Sequence, residues 1–477
     1  MKDLVLQELK NIVGENHVSD DPVDLLAFEK DDQFWLVPPR MPDFVVRPGS
    51  VEEIQAIMRL ANRYKIPVIP LSAGINRKGL CIPSEGGIIL DLRRMNRIIE
   101  INEEMMTAII EPGVTYGQLV FEAAKKGLRP LTPAAPATVS VVANHLLRSK
   151  FMLGSKYGDS EPWVLGLEVV LPNGDVLRTG SWAFPNSPGP YCNKVCGPDL
   201  GKLFLGSPGN LGIVTKMCIA LHPIPKIQRP EWVFFERWDG FIKAVSELMI
   251  EEIASRISGM WGPPLVWEEM WGLKVPEPGG LGLSILIEGN DEERVALYEK
   301  IRDRIIERAG GKYIEVTPER REGFLKNLAA QRKGVGEWRQ GNMYGCSLYA
   351  PLKNAPRLFE VSYALAKKYG FEKRFHYVVS SVWPFRGQLM YQDPSFPWSS
   401  AEPGAVEKIR RLHKELMKAL MDVGIYGWFR PFPGVVDVNM LGKYGELWRA
   451  IKQLLDPNNI LNPGKPPMPT SADFFIP

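Results

Sequence analysis

The residues best suited to chemistry lie in glycine-bearing loops. In residues 70–79, PLSAGINRKG, the Ser72 hydroxyl and the amides around Gly74, Asn76 and Gly79 can form an anion-binding nest for a pyrophosphate, with the Arg77 and Lys78 cations nearby. The loop lies between two apolar runs, IPVIPL and GGIILDL, both read as strands. A nicotinamide phosphate loop needs strand, glycine turn and helix, so that fingerprint fails here. On spacing alone an ordinary surface turn is the simpler reading. Two further loops, EPGVTYGQL (111–119) and LFLGSPGNLGIVTKM (203–217), again set glycines beside buried strands, where a flat ligand can approach the backbone. Each alone reads as structural; together they point to one large bound cofactor.

Other reactive residues are sparse. Cys192 and Cys196 stand four apart, but no second pair or nearby histidine completes a four-ligand set, so no metal site is expected. The five cysteines are irregularly spaced, and the N-terminus mixes Lys2, Asp3, Glu8 and Lys10 with Leu4, Val5, Leu6 and Leu9. That pattern predicts an amphipathic helix ending near Gly14 rather than a signal peptide. Reduced thiols and a cytoplasmic location follow as expectations. No apolar run reaches the roughly 18–20 residues of a membrane span. The net charge of +3 separates 58 basic from 55 acidic residues without like-charge runs, so neither nucleic acid nor an anionic membrane is expected as a partner.

At 477 residues the chain predicts more than one domain. Between about residues 44 and 221, short strands alternate with single helices. VEEIQAIMRLANRYK places Ile54, Ile57, Met58 and Ala61 on one helical face, with Ser50 as cap and Glu53 at the capping-box position. GLEVVLPNGDVLRTG predicts a hairpin turning at Asn173-Gly174. HPIPKIQRPE (222–231) carries three prolines in eight residues, which predicts a boundary and denies both helix and central strand. Beyond it, strands such as LGLSILIEG and MYGCSLYAPL alternate with helices such as DEERVALYEKIRDRIIERAGG, an α+β pattern. YGELWRAIKQLLDPNNILNPGK predicts a terminal helix and a proline-stopped tail.

The loops, in this order, resemble blocks of the vanillyl-alcohol oxidase and p-cresol methylhydroxylase family of flavoproteins. PLSAGINRKG is similar to its pyrophosphate loop, MNRIIEINEEMMTAIIEPGVTYGQL to the following block, YGDSEPWVLGLEVVLPNGDVLRTG and NLGIVTKM to two later ones, and LDPNNILNPGK to its terminal signature. The resemblance implies a two-domain α+β fold. Residues 1–224, completed by 425–477, would bind FAD, and 225–424 would form a cap over the flavin ring. It implies FAD contacts from Ser72, Gly74, Ile75, Asn76, Arg77 and Gly79, from Pro112, Gly113 and Val114, and from Ser140, Asn144 and Gly158. Gly212, Ile213, Val214 and Lys465 complete that set. In YGWFRPFPGVVD (426–437), Arg430 falls at the family's arginine, where a guanidinium can stabilise charge at the flavin N1/C2 edge or hold a phenolate. A salt bridge between tail and body is the alternative role.

The sequence also departs from the family. Phe429 replaces its tyrosine, leaving Tyr426 as the nearest substitute, and Ala135 or Pro136 stands where an aspartate near the flavin N5 is expected. Neither His376 nor Tyr391 falls at a flavin-linking position, so dissociable FAD is expected. The leading expectation is hydride abstraction from a benzylic or allylic carbon of a phenolic or related aromatic substrate, with Arg430 and Tyr426 as catalytic residues. A D-2-hydroxyacid dehydrogenase shares the fold and resembles LFLGSPGNLGIVTK, but only His376 and His413 follow His222, too few for that group's metal motif. A third reading is an electron-relay subunit docking on a cytochrome or iron-sulfur partner. A homo-oligomer or a larger complex is expected.

Overall fold

The structure is a computed structural model and describes residues 1–75, 79–271, 274–328, 342–382, 388–422 and 438–466. Its first unit is built around the helix Val51–Tyr64. Ser50 caps it by accepting from the Glu53 amide, while the Glu53 carboxylate reaches back to the Gly49 amide rather than to Ser50. Ile54, Ile57, Met58 and Ala61 bury the predicted face. They pack on a four-stranded sheet in which Phe44–Val46 and Val68–Leu71 both run parallel to Ile88–Asp91, and Val18–Ser19 pairs antiparallel at the edge. The distant segment at 460–462 lies beside the same sheet, with the Val68 amide on Ile460 O and the Asn462 amide on Val68 O.

A second, five-stranded antiparallel sheet has the order Ile98–Asn102, Thr107–Ile110, Ile213–Ala220, Val164–Val170, Val176–Arg178. The Asn173-Gly174 turn closes its last hairpin, with Gly174 at φ 87°, a value that favours glycine. The helix Tyr116–Ala124 covers this sheet and begins with a full capping box from Thr115 and Gln118.

The third sheet is the largest. Its order is Lys312–Tyr313, Ile227–Phe235, Gly280–Gly289, Arg256–Gly262, His376–Ser381, Leu389–Trp398, Asn342–Gly345, with Leu348–Pro351 also paired to Leu389–Trp398. The proline-rich segment departs from expectation here. Ile227–Phe235 runs through Pro230 and pairs along its whole length with Gly280–Gly289. Its other side pairs only at Val233 and Phe234, so the proline sits where no ladder bond is required of its missing N–H.

Helices Trp238–Ile250, Glu292–Arg308, Ala355–Lys368 and Ala405–Asp422 bury one face of this sheet in the largest core. A bidentate pair between Arg129 and Glu288, both contacts 2.9 Å, ties the strand Leu128–Arg129 to Gly280–Gly289. Together with Gln228 on the same carboxylate, it joins the large sheet to the rest of the molecule. Among the described residues no helix is long and apolar enough to cross a membrane.

Candidate functional site

The face of the large sheet not covered by helices forms one wall of a cavity of about 1190 Å³. Side chains alternate across a strand, so the wall's composition follows from register. Ser284, Ser258, Ser380 and Tyr391 are direct cross-strand neighbours in one row, and Gly282, Met260, Val378 and Asp393 form the next. All eight line the cavity. The intervening Ile257, Ile285, Tyr377 and Val379 point into the core on the other side. His376 also lines the cavity, so both residues considered for flavin linkage, His376 and Tyr391, lie on this wall.

The serine row is internally bonded. Ser258 and Ser380 hydroxyls are 2.6 Å apart, and Ser284 Oγ donates to Ser258 O at 2.9 Å. Tyr391 Oη donates to Ser347 Oγ at 2.7 Å, and Ser347 donates to Asp393 Oδ1 at 3.4 Å. Tyr349 donates to the Asp159 carboxylate.

The other wall comes from the first two sheets and their loops. Ser72, Gly74 and Ile75 line it directly after the strand Val68–Leu71. Pro112, Ser140 and Asn144 line it next, fixed by mutual bonds: Ser140 Oγ donates to Pro112 O at 2.7 Å, and Tyr116 Oη donates to Asn144 Oδ1 at 3.0 Å. Gly212, Ile213 and Val214 follow at the start of the strand Ile213–Ala220.

Gly113, Val114, Gly158, Gly79 and Lys465 are not among the residues that line the cavity. Gly113 is explained by packing, since a Cβ there would lie 2.7 Å from Met95 O. Gly158 ends the short helix Gly154–Tyr157 at φ 76°. Asn76 and Arg77, like Tyr426 and Arg430, lie outside the described residues. Ala135 and Pro136 line the cavity, so that stretch presents no carboxylate, whereas Asp393 on the sheet wall does.

Charge is concentrated behind the loop after Leu71. The Asp31 carboxylate accepts from the Gln33 and Gly79 amides, yet burial pushes its pKa up to about 6. Lys465 is buried, its ammonium has no hydrogen-bond partner among the described residues, and burial pushes it down to about 8. The sequence reading missed Lys150, Arg256 and Asp393, all on the lining. For Arg256 and Asp393 the signal was the polar-apolar alternation of RISGMWG and LMYQDPS, which shows a two-faced strand without showing what its polar face meets; Lys150, in LRSKF, carried no such pattern.

A large planar dinucleotide fits this space. The cavity exceeds the range of about 300–1,000 Å³ usual for a small ligand alone, and one wall is backbone-rich and glycine-lined. At Gly212 an added Cβ would sit 2.4 Å from Val169 Cγ1 and 3.0 Å from Phe204. Gly212→Ala is therefore expected to lower stability by roughly 1–3 kcal/mol and to reduce cofactor retained through gel filtration. Unchanged urea midpoint and retention would show that the wall adapts.

Comparison with known proteins agrees with this geometry. A family model described as "FAD binding domain" matches residues 42–180, and one described as "FAD linked oxidases, C-terminal domain" matches 442–466. The chain is 27% identical to glycolate oxidase subunit GlcD of Bacillus subtilis, over 97% of this chain and 96% of that protein. It is also 27% identical to the 4-cresol dehydrogenase [hydroxylating] flavoprotein subunit of Pseudomonas putida, over 98% and 96%. The fold superposes on p-cresol methylhydroxylase with substrate bound at a TM-score of 0.84 and 23% identity, covering 98% of this chain and 97% of that one.

Proposed function

The chain belongs to the p-cresol methylhydroxylase-type FAD-linked oxidase family and is an FAD-dependent oxidoreductase, and from that premise we propose that it oxidises a benzylic or allylic carbon of an aromatic substrate. The observation that carries this reading is the cavity, whose glycine-lined wall suits FAD and whose other side brings Tyr391 and Met260 of the sheet and Trp267 of the helix Pro264–Trp271 to the same space. In this reading residues 1–224 with 425–477 hold the cofactor, and 225–424 roof the substrate. Ser72, Gly74 and neighbouring amides bind the pyrophosphate, while Pro112, Ser140, Gly212 and Val214 pack against the rest. When bound, FAD would supply a two-electron acceptor for the substrate's hydride.

The protein's own task is to position that carbon, exclude water and accept the proton that leaves the substrate hydroxyl. Asp393, held by the Tyr391–Ser347 chain, is the carboxylate proposed to take it. Loss of a phenol proton and a benzylic hydride leaves a neutral quinone methide, so charge and electrons balance. Arg430 and Tyr426 are proposed to steady the developing anion.

Oxidation of a D-2-hydroxy acid is the second reading. It is favoured by likeness to a glycolate oxidase subunit along nearly the whole length of both chains. Anaerobic titration of the holoprotein separates the two: 4-ethylphenol is expected to bleach the flavin absorbance, and D-lactate or glycolate to bleach it under the second reading. Arg430→Ala is expected to slow reduction at least tenfold, since oxyanion-stabilising groups typically contribute roughly 10²–10³ in rate. Reduction at the wild-type rate would remove Arg430 from the site. Bleaching by neither class without a partner protein would favour an electron-relay subunit. Acid precipitation is expected to release the flavin into the supernatant; a yellow pellet would show a covalent link.

A further inference from the structure

Two cations on the cavity lining, Lys150 and Arg256, have no ion-pair partner among the described residues. Lys150 lines it from the segment before Phe151, with its ammonium 4.9 Å from the centroid of the Tyr391 ring. Among the described residues its ammonium has no hydrogen bond or ion pair. Arg256 lines the cavity at the start of the strand Arg256–Gly262. Its Nη1 donates to Met152 O at 2.9 Å, its plane lies over Phe324 at 5.6 Å, and its buried Nε has no partner.

Lys326 and Glu269, also on the lining, are paired locally with Glu322 and Arg374. Burial, with the Arg256 charge second, pushes the Lys150 pKa down to about 7, and Arg256 itself is pushed down to about 10. The Asp159 and Asp393 carboxylates, which accept from Tyr349 and Ser347, oppose this shift on Lys150 without forming an ion pair with it. Two desolvated like charges in one cavity repel one another, and an anion brought by the ligand that meets both relieves that repulsion.

We propose that Lys150 and Arg256 form an anion clamp that recognises the carboxylate of the substrate. The inference deepens the oxidoreductase reading and rests on it for the word substrate. It narrows the substrate to an organic acid. The carboxylate can come from an aryl acid, whose ring lies against Tyr391 and Met260, or from a small 2-hydroxy acid. A guanidinium and an ammonium suit either, because each donates charge-assisted hydrogen bonds to carboxylate oxygens.

Binding to the FAD-loaded protein tests the clamp without turnover, using perturbation of the flavin spectrum by phenylacetate, its neutral isostere phenylacetamide, and glycolate. Wild type is expected to bind phenylacetate or glycolate at least tenfold more tightly than the amide. Lys150→Met and Arg256→Met are each expected to weaken the carboxylate about 10- to 100-fold and to leave the amide within about twofold. Lys150→Arg is expected to keep most of the affinity. Tighter phenylacetate than glycolate assigns the aryl source; the reverse assigns the hydroxy acid.

Equal binding of acid and amide by wild type overturns the clamp. So does unchanged phenylacetate binding in both methionine variants, or loss of FAD affinity with carboxylate binding intact, which would make the cations cofactor ligands. If the methionine variants do not hold FAD, the acid-amide comparison in wild type and Lys150→Arg decides alone. Carboxylate binding without flavin reduction by any substrate would sink the catalytic reading and leave the clamp standing.

Discussion

Lowering the pH from about 7 to about 4 is expected to destabilise the protein steeply, with net proton uptake on unfolding. Three buried histidines set the sign. His145 sits against Tyr116 and Phe151 with its Nδ1 2.8 Å from Val141 O, and burial pushes it down to about 4. His222 is enclosed by Tyr157 and Trp163, and burial, with the Arg129 and Lys156 charges, also brings it to about 4. Burial pushes His413, 2.9 Å from Tyr344 Oη, down to about 3.

Each has a folded pKa below its unfolded value of 6.5, so the unfolded chain binds more protons in the interval between them. Their contribution is complete above pH 6.5 and is lost as the pH falls through the folded values. The shifts correspond to roughly 3–5 kcal/mol each, against a typical total stability of about 5–15 kcal/mol. Asp31 works the other way, because its folded pKa of about 6 lies above its usual 3.8, so it adds stability as the pH falls through that window. Glu168 and Glu288, held low by their cationic partners against the penalty of burial, add to acid loss below the usual carboxylate range.

Urea midpoints measured across this range should fall with decreasing pH below 6.5, and His145→Phe should flatten the slope by about one proton. A midpoint independent of pH between about 7 and about 5 would refute the assignment of these histidines as buried and neutral.

Lys452→Met is expected to cost about 3–5 kcal/mol, the range for breaking one partner out of a buried ion pair. Lys452 comes from the helix Lys443–Leu455 and is fully buried. Its ammonium donates to Asn210 O at 2.9 Å and Leu461 O at 2.8 Å and pairs with Asp456. Asp456 in turn accepts from the amides of Ile460 and Leu461.

One cation therefore fastens the terminal helix and the segment at 456–461 to the loop that leads into Gly212 and Ile213 on the cavity wall. Removing it leaves a buried carboxylate without its countercharge and two carbonyls without a donor. Lower urea stability is expected together with faster loss of FAD on dilution. Lys452→Met with Asp456→Asn should recover part of the stability, because the stranded charge is gone. Stability within about 1 kcal/mol of wild type in the single variant would mean that water reaches the site.

The glycine-lined wall of the cavity was legible in the residues because its signals are local. Ser50 and Thr115 announce helix starts through side-chain caps a few residues long, Asn173-Gly174 announces a hairpin, and glycines after buried strands mark where a ligand can meet backbone. The chain's likeness to FAD-linked oxidases rests on the same local blocks. Pro230 was misread for a related reason: a proline's effect on a strand depends on whether a neighbour needs its N–H, and only the sheet order tells.

By itself, then, the sequence determined an α+β flavoprotein fold, FAD and the oxidoreductase class. The tertiary structure alone decided that Lys150, Arg256 and Asp393, widely separated along the chain, share one cavity. It also decided that the alternating strands turn their polar face away from the helices and toward that space. Alternation records that a strand has two faces, but which face meets the cavity is set by the helices covering the other one. Whether a buried cation is paired is set by groups brought together from distant parts of the chain.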